Sequence, residues 1–327
     1  MVGAGSLGFH HVRILRSVEG LRLAGFHEAR PDRAREVAAE LGVRAYPTLE
    51  ALLDDVDAIT VVVPTPAHHA VASAALRRGR HVLIEKPLAT SLEEADELLA
   101  LGRANGALIQ TGHVERFNRA IRAALPHVDA PRFIQSDRLA PFNPRGADVA
   151  VVLDLMIHDL DLVRTLVGGH VETVDAVGVP VLTPFVDIAN ARLTFTSGAV
   201  ANVTSSRVSR ERMRKVRIFQ RSGYLSLDLA AGTGEFFRMR GDLDLAALAK
   251  APLELEAFVE RVPLDAPEGE PLRLEFEAFA AALRGDAPVI VSGEDGREAL
   301  AVALRIVREI ESGAAALSGA PVGRAGA

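Results

Sequence analysis

The chain contains no cysteine and no tryptophan, and only two tyrosines in 327 residues. Without cysteine there is no disulfide framework, no thiolate nucleophile and no thiolate-bound metal, so any chemistry must use other groups. No apolar run approaches the roughly 20 residues needed to cross a bilayer, and no charged segment followed by an apolar one opens the chain. A cytoplasmic protein is the expectation. Positive charge is also scarce: 37 basic residues against 43 acidic ones leave a net charge of −6 and a pI near 6.0, which argues against nucleic acid as a partner. Lysine is the scarcest of the basic residues, with three (Lys86, Lys215 and Lys250) against 34 arginines. A sequence that writes arginine almost everywhere and keeps lysine at 86 has a use there for an ammonium, whose proton is exchangeable where a guanidinium's is not.

What is present is 49% hydrophobic and 24% charged, over a length that can bury two cores. Near the start, Val2-Gly3-Ala4-Gly5-Ser6-Leu7-Gly8 is a Gly-x-Gly-x-x-Gly run followed by helical spacing at Phe9, Val12, Ile14, Leu15 and Val18. In a strand-to-helix turn Gly3 makes the tight turn, Gly5 lets a pyrophosphate approach and Gly8 lets helix and strand pack closely. The backbone around Ser6 and Leu7 then faces the anion at a helix N-terminus. Leu21 to Phe26 reads as a second strand, with Glu28 beyond its end, 20 residues after Gly8. An acid there takes ribose hydroxyls and repels a 2′-phosphate, so NAD is expected over NADP. Only Met1 and Val2 precede the glycines, where a central strand of about five residues belongs.

Pro31 to Leu41 reads as a helix, and Ala58 to Val63 as a buried strand ending at Pro64-Thr65-Pro66. Pro64, Thr65 and His69 fall at that carboxyl edge and are assigned to the cofactor. His68 and His69 are adjacent, point in different directions and have no third ligand nearby, so no metal is expected. The next apolar run, His81 to Ile84, ends in Glu85-Lys86-Pro87. It delivers a charged pair, Glu85 and Lys86, both assigned to the cofactor as well, to the edge where α/β enzymes keep their chemistry, with proline stopping the ladder. Ser91 caps the following helix, with Glu94 as capping-box partner. Strands and helices alternate through residue 112, which gives a doubly wound parallel sheet. Gly112-His113-Val114-Glu115-Arg116-Phe117-Asn118 reads as a hinge, with Arg116 and Asn118 among the expected substrate contacts.

Beyond it come a helix from Arg119, a strand over Arg132 to Leu139, a Pro/Gly-rich loop and a helical stretch from Val149 to Leu166. That stretch holds Asp154-Leu155-Met156-Ile157-His158-Asp159-Leu160-Asp161, and an α-helix places Asp154 and His158 on one face at i, i+4. From Val171 to Leu229 period-two segments dominate, with a hairpin signal at Thr196-Ser197-Gly198. They predict a second α/β domain with a large open, mostly antiparallel sheet, one face covered by helices and the other free to pair with another subunit. Phe276 to Leu283 and Gly296 to Ile310 are amphipathic helices. The expected division is a dinucleotide-binding domain over 1–118, a substrate and oligomerisation domain over 119–311, and a flexible tail over 312–327.

With the glycine loop, Glu-Lys-Pro and Asp-x-x-x-His in this order, the chain resembles the Gfo/Idh/MocA family of NAD(P)-dependent oxidoreductases over nearly its whole length. Within it, residues 112–118 and 152–162 look like the branch that includes UDP-N-acetylglucosamine 3-dehydrogenases. The resemblance implies a Rossmann domain followed by an open-sheet domain, with the family's lysine, aspartate and histidine falling on Lys86, Asp154 and His158. It also implies a sugar or nucleotide sugar as substrate; apolar residues on both alternating faces of the strands between Val171 and Leu229 point to a homodimer or homotetramer. Two positions depart from the family pattern: Met156 stands where a glycine is usual, and Arg119 where proline is common.

A mechanism follows for those residues. His158 is the base that removes the hydroxyl proton, since an imidazole ordinarily exchanges protons near neutrality. Lys86 stabilises the developing alkoxide and Asp154 orients the substrate or the imidazole. Other readings of the same motifs are an NAD-using glycosidase, a dehydrogenase of a free cyclitol such as myo-inositol, and a non-catalytic NAD-binding regulator.

Overall fold

The computed structural model describes residues 1–144, 146, 149–240 and 258–319. The chain forms two compact units, one of Met1–Arg119 with Pro267–Ala301, the other of Ala120–Ala266 with Val302–Ala327.

In the first unit five short strands run parallel: β1 (Phe26–His27), β2 (Ala45–Tyr46), β3 (Ala58–Val61), β4 (His81–Glu85) and β5 (Ile109–Gly112). The missing first strand is a single residue. Val2 bridges His27 on one side and Val61 on the other, both in parallel, and its N–H donates to Thr60 O at 2.8 Å. The order β2-β1-Val2-β3-β4-β5 is that of a dinucleotide-binding sheet, whose direction of winding reverses beside Val2 and β3. Connecting helices are α1 (Ser6–Leu15), α2 (Pro31–Leu41), α3 (Leu49–Leu53), α4 (His68–Leu76) and α5 (Leu92–Ala104). Their limits follow local chemistry. Pro31 opens α2, Gly42 closes it at φ 63°, and Ser91 caps α5 by accepting from Glu94 N at 3.2 Å. Glu94 reaches back to Thr90 N at 2.9 Å, one residue before the expected partner.

The core gathers Val12, Ile14 and Leu15 of α1 around Phe26, Val37 and Leu83, together with Phe276 and Phe279 of the helix Pro271–Arg284. Burying each of these apolar side chains contributes about 1.5–3 kcal/mol. The expected strand over Leu21 to Phe26 is reduced to Phe26–His27. Its partner β2 is only two residues long before Pro47, so Leu21 and Leu23 pack against the core from outside the ladder.

The second unit is built on an eight-stranded sheet: β6 (Phe133–Leu139), β7 (Val171–Val179), β8 (Ile188–Phe195), β9 (Val200–Ser206), β10 (Met213–Gln220), β11 (Gly223–Asp228), β12 (Thr233–Met239) and β13 (Val259–Leu264). The order is β13-β12-β11-β10-β6-β9-β8-β7; the β6–β9 pair is parallel and the others antiparallel. The hairpin at Thr196-Ser197-Gly198 forms as expected, with Gly198 at φ 78° donating to Phe195 O. β12 and β13 lie outside the expected set, because Gly234 and the adjacent Phe236 and Phe237 blur the period-two signal. Alternation along β6 sends Ile134, Ser136 and Arg138 inward. On the opposite face Phe133, Phe219, Tyr224 and Phe237 form a stripe across four strands, ring centroids 5.7, 5.5 and 4.6 Å apart in turn. The last helix runs Gly293–Gly319, past the start of the expected tail; residues 320–327 lie outside those described.

Candidate active site

The glycine loop has the geometry of a phosphate cradle. Gly3 sits at φ 91°, and a Cβ there would meet Val62 O at 2.6 Å; a Cβ on Gly8 would meet Gly3 O at 1.8 Å. Both glycines are steric necessities of the turn. At Gly5 the nearest atom to such a Cβ is Arg30 Nη2, 3.7 Å away, so the space above this residue is left for another occupant. Ser6 and Leu7 open α1, which has no side-chain cap and no acidic residue in its first turn. An anion is what such a helix start accepts.

Glu28, just past β1, turns toward this loop. Its Oε2 accepts from Ala4 N at 2.8 Å and its Oε1 from Arg30 N at 3.1 Å and Arg30 Nε at 2.9 Å. Burial opposes the charge, but the bonds from Arg30 and Ala4 outweigh it and hold the carboxyl below the usual carboxylate range. The residues fit a dinucleotide: a cradle, a helix start and an ionised acid bonded to the loop at Ala4 N.

At the end of β4, Lys86 is half-buried and joined to Pro87 by a cis peptide. The residues flanking it are held by buried histidines that motif reading had not assigned to a site. Glu85 is turned inward: its Oε1 lies 3.0 Å from His11 Nε2, an ion pair by distance more than an aligned hydrogen bond. Its Oε2 accepts from Lys86 N at 3.2 Å. Burial would raise the Glu85 pKa, yet His11 and Lys86 together keep it low. On the other side, His68 Nδ1 is 2.9 Å from Pro87 O and its Nε2 2.9 Å from Val63 O. His69, the neighbouring residue, places its Nε2 3.0 Å from Glu97 Oε2 of α5. Pro64 and Thr65 lead into a 3-10 turn at the end of β3, Pro64 exposed and Thr65 half-buried.

Of the hinge residues, Arg116 binds Ile290 O at 3.0 Å and Asp295 Oδ1 at 3.3 Å, so its guanidinium ties the Val114–Phe117 turn to the returning segment. Asn118 is buried and donates to Glu115 Oε2 at 3.1 Å.

In the second unit Asp154 and His158 are both half-buried. Asp154 lies in a π-helical turn, Val152–Met156, and α6 (Ile157–Val167) begins just before His158. The α-helical i, i+4 relation therefore does not describe the stretch between them; single π-turns of this kind recur at functional sites. Gly146, at φ 79°, closes on the carboxylate: a Cβ there would meet Asp154 Oδ2 at 2.6 Å. The loop is held by buried Arg207, which donates to Gly146 O at 2.5 Å, Val149 O at 2.7 Å and Asp187 Oδ1 at 2.8 Å. Asp187 in turn accepts from the N–H groups of Val181, Leu182 and Thr183, and these bonds with Arg207 outweigh burial and keep it far below the usual carboxylate range. Asp159 is structural, taking Ser136 Oγ at 2.9 Å and Arg138 Nε at 2.6 Å. Met156 is fully buried, so the side chain at the family's glycine position is spent on packing.

Comparison with known proteins agrees with this arrangement. Residues 1–113 match the Gfo/Idh/MocA oxidoreductase family, NAD-binding Rossmann fold, and residues 121–226 match the family's C-terminal domain. The UDP-N-acetylglucosamine 3-dehydrogenase of Acidithiobacillus ferrooxidans is 39% identical over 313 residues, 95% of this chain and 96% of the relative. Its solved structure superposes with a TM-score of 0.85 at 38% identity, over 95% of this chain and 96% of that one. The myo-inositol 2-dehydrogenase of Thermotoga maritima is 27% identical over 331 residues, 95% of each chain. With a dinucleotide cradle in one unit, an open sheet in the other and both matched in sequence, the chain belongs to the Gfo/Idh/MocA family of NAD-dependent oxidoreductases.

Proposed function

We propose that the chain oxidises the C3 hydroxyl of UDP-N-acetylglucosamine, or reduces the corresponding ketone, with NAD. The observation that carries this reading is the nearly end-to-end likeness to a dehydrogenase of that substrate, 39% identical over 95% of the chain. The site residues supply the chemistry it needs. Gly3, Gly5, Ser6, Leu7 and Gly8 would hold the pyrophosphate, Glu28 the ribose, and Pro64 and Thr65 the edge of the same groove. When bound, NAD supplies the acceptor for hydride. Lys86 stabilises negative charge on the substrate oxygen as it develops. His158 takes the hydroxyl proton, and Asp154, gripped by the Gly146 loop, orients the sugar or the imidazole. Arg116 and Asn118 shape the substrate side indirectly, by fixing the turn that carries them.

A second reading, oxidation of a free cyclitol, is favoured by the myo-inositol relative that aligns along 95% of both chains. Initial rates of NADH formation with UDP-N-acetylglucosamine, N-acetylglucosamine and myo-inositol separate the two. The nucleotide sugar is expected to give the highest kcat/KM; preference for myo-inositol would replace the first reading with the second.

The protein is further proposed to work in the cytoplasm as a homodimer or homotetramer joined through the open face of the eight-stranded sheet. The aromatic stripe of Phe133, Phe219, Tyr224 and Phe237 supports this assembly. Light scattering at micromolar concentration is expected to give a multiple of 34.8 kDa, and a monomer there would refute it.

A further inference from the structure

We infer that His68 is a positioning residue for Lys86, and that His11 braces the same turn from its other side. The inference rests on the reading of Lys86 as the group that acts on the substrate oxygen. The β3–β4 ladder ends at the pair Val61–Ile84, and past that point the strand ends lose their regular hydrogen bonds. His68 spans the gap. It is 1% exposed, stands at the first position of α4, and places one ring nitrogen 2.9 Å from Val63 O and the other 2.9 Å from Pro87 O. Both partners are acceptors. A neutral imidazole carries one N–H, and burial pushes the His68 pKa down toward that neutral form, so the ring donates to one carbonyl while its other nitrogen sits against the second. The charged groups whose fields reach it are Glu85 and Lys86 themselves.

The near side is fixed just as firmly. Glu85 Oε2 accepts from the backbone N–H of Lys86, while its Oε1 meets His11 of the glycine-loop helix, whose ring lies edge-on to Phe276 at 5.2 Å. Gly112 closes the remaining side: a Cβ there would sit 3.1 Å from Glu85 Cδ. Lys86 thus has the N–H at its own residue and the carbonyl of the next held by groups reaching back to two different helices. A reacting group displaced by as little as about 1 Å loses on the order of 10²-fold in rate, so a clasp at this point governs turnover more than cofactor binding.

The scarcity of lysine provides a direct readout. In protein labelled with 13C and 15N only at lysine, three side-chain signals are expected, and Lys86 is the one lost in Lys86→Arg. His68→Leu removes the ring N–H and both polar nitrogens, whereas His68→Gln keeps an amide nitrogen with two N–H groups. The expected result for His68→Leu is a shifted, sharpened Lys86 signal with Lys215 unchanged, kcat at least about tenfold lower and NAD affinity within a few-fold of the parent. His68→Gln is expected to restore both the signal and kcat. If His68→Leu does not fold, His68→Asn, whose shorter amide reaches one carbonyl at most, is expected to give an intermediate shift. An unmoved Lys86 signal in a folded variant, or equal behaviour of Leu and Gln, would overturn the inference. Parental turnover by Lys86→Arg would instead refute the catalytic reading, while the Lys86 signal in the His68 variants would still decide the positioning role.

Discussion

Lys86→Arg keeps the positive charge but replaces a compact ammonium with a flat guanidinium that does not release a proton near neutrality. If Lys86 acts on the transition state, kcat falls on the order of 10²-fold or more with NAD affinity little changed, a loss of about 3 kcal/mol in barrier stabilisation. His158→Ala is expected to cost a comparable amount, and the double variant little more than either, because both serve one proton transfer. Steady-state kinetics with calorimetric NAD titration checks all three; turnover within a few-fold of the parent in Lys86→Arg would reduce Lys86 to an ion-pair residue. Cofactor choice is also decided by single side chains. Glu28 carries an ionised carboxyl beside the glycine loop, but Arg30 forks onto it. NAD is expected to bind at least about tenfold more tightly than NADP, and Arg30→Ala is expected to widen the gap by removing the cation that could meet a 2′-phosphate. Equal affinities for the two cofactors in the parent would remove Glu28 from this role.

At the scale of elements, the glycine loop separates folding from binding. Gly8→Ala would force a methyl to within 1.8 Å of Gly3 O, a clash that the roughly 1 kcal/mol gain in helix propensity cannot offset, so the first unit is expected to lose its stable fold. Gly5→Ala meets nothing closer than 3.7 Å; its melting temperature is expected to stay near the parent's while NAD affinity falls at least about tenfold. Calorimetric melting and NAD titration of the two variants test this split, and unchanged NAD affinity in Gly5→Ala would place the pyrophosphate elsewhere. These elements were legible in the sequence because their signals are local: glycines at fixed spacing, Pro31 and Gly42 at the two ends of α2, an apolar run ending at Glu85-Lys86-Pro87. What escaped depends on partners far along the chain. Nothing near His11 announces that it will meet Glu85, 74 residues on. Nothing in Pro271–Arg284 says that its phenylalanines join the core of the first unit. The π-turn at Asp154 was hidden for another reason: a run with apolar residues on nearly every side of the helix, as from Val149 to Leu166, does not distinguish π from α winding by its periodicity. Among candidate site residues, Lys86 and the glycines were found through residue type and spacing. Arg116 and His69 look the same in sequence whether they face a ligand or a neighbouring helix, and nothing local announces their bonds to Asp295 and Glu97.

At the scale of the whole molecule, the first unit carries the glycine loop, Glu28 and Lys86, and the second carries Asp154 and His158, with Arg207 bound to Gly146 O beside Asp154. The proposed function stands or falls on hydride leaving one carbon of one sugar. UDP-N-acetylglucosamine deuterated at C3, incubated with NAD and the protein, tests this most directly. The account predicts that NADH accumulates with one deuterium per molecule, read by mass, and that the labelled substrate reacts several-fold more slowly than the unlabelled one if hydride transfer limits the rate. Unlabelled NADH would place the oxidation at another carbon, and deuterium retained in a hydrolysed sugar without net NADH would make the protein an NAD-using glycosidase; either result contradicts the central claim.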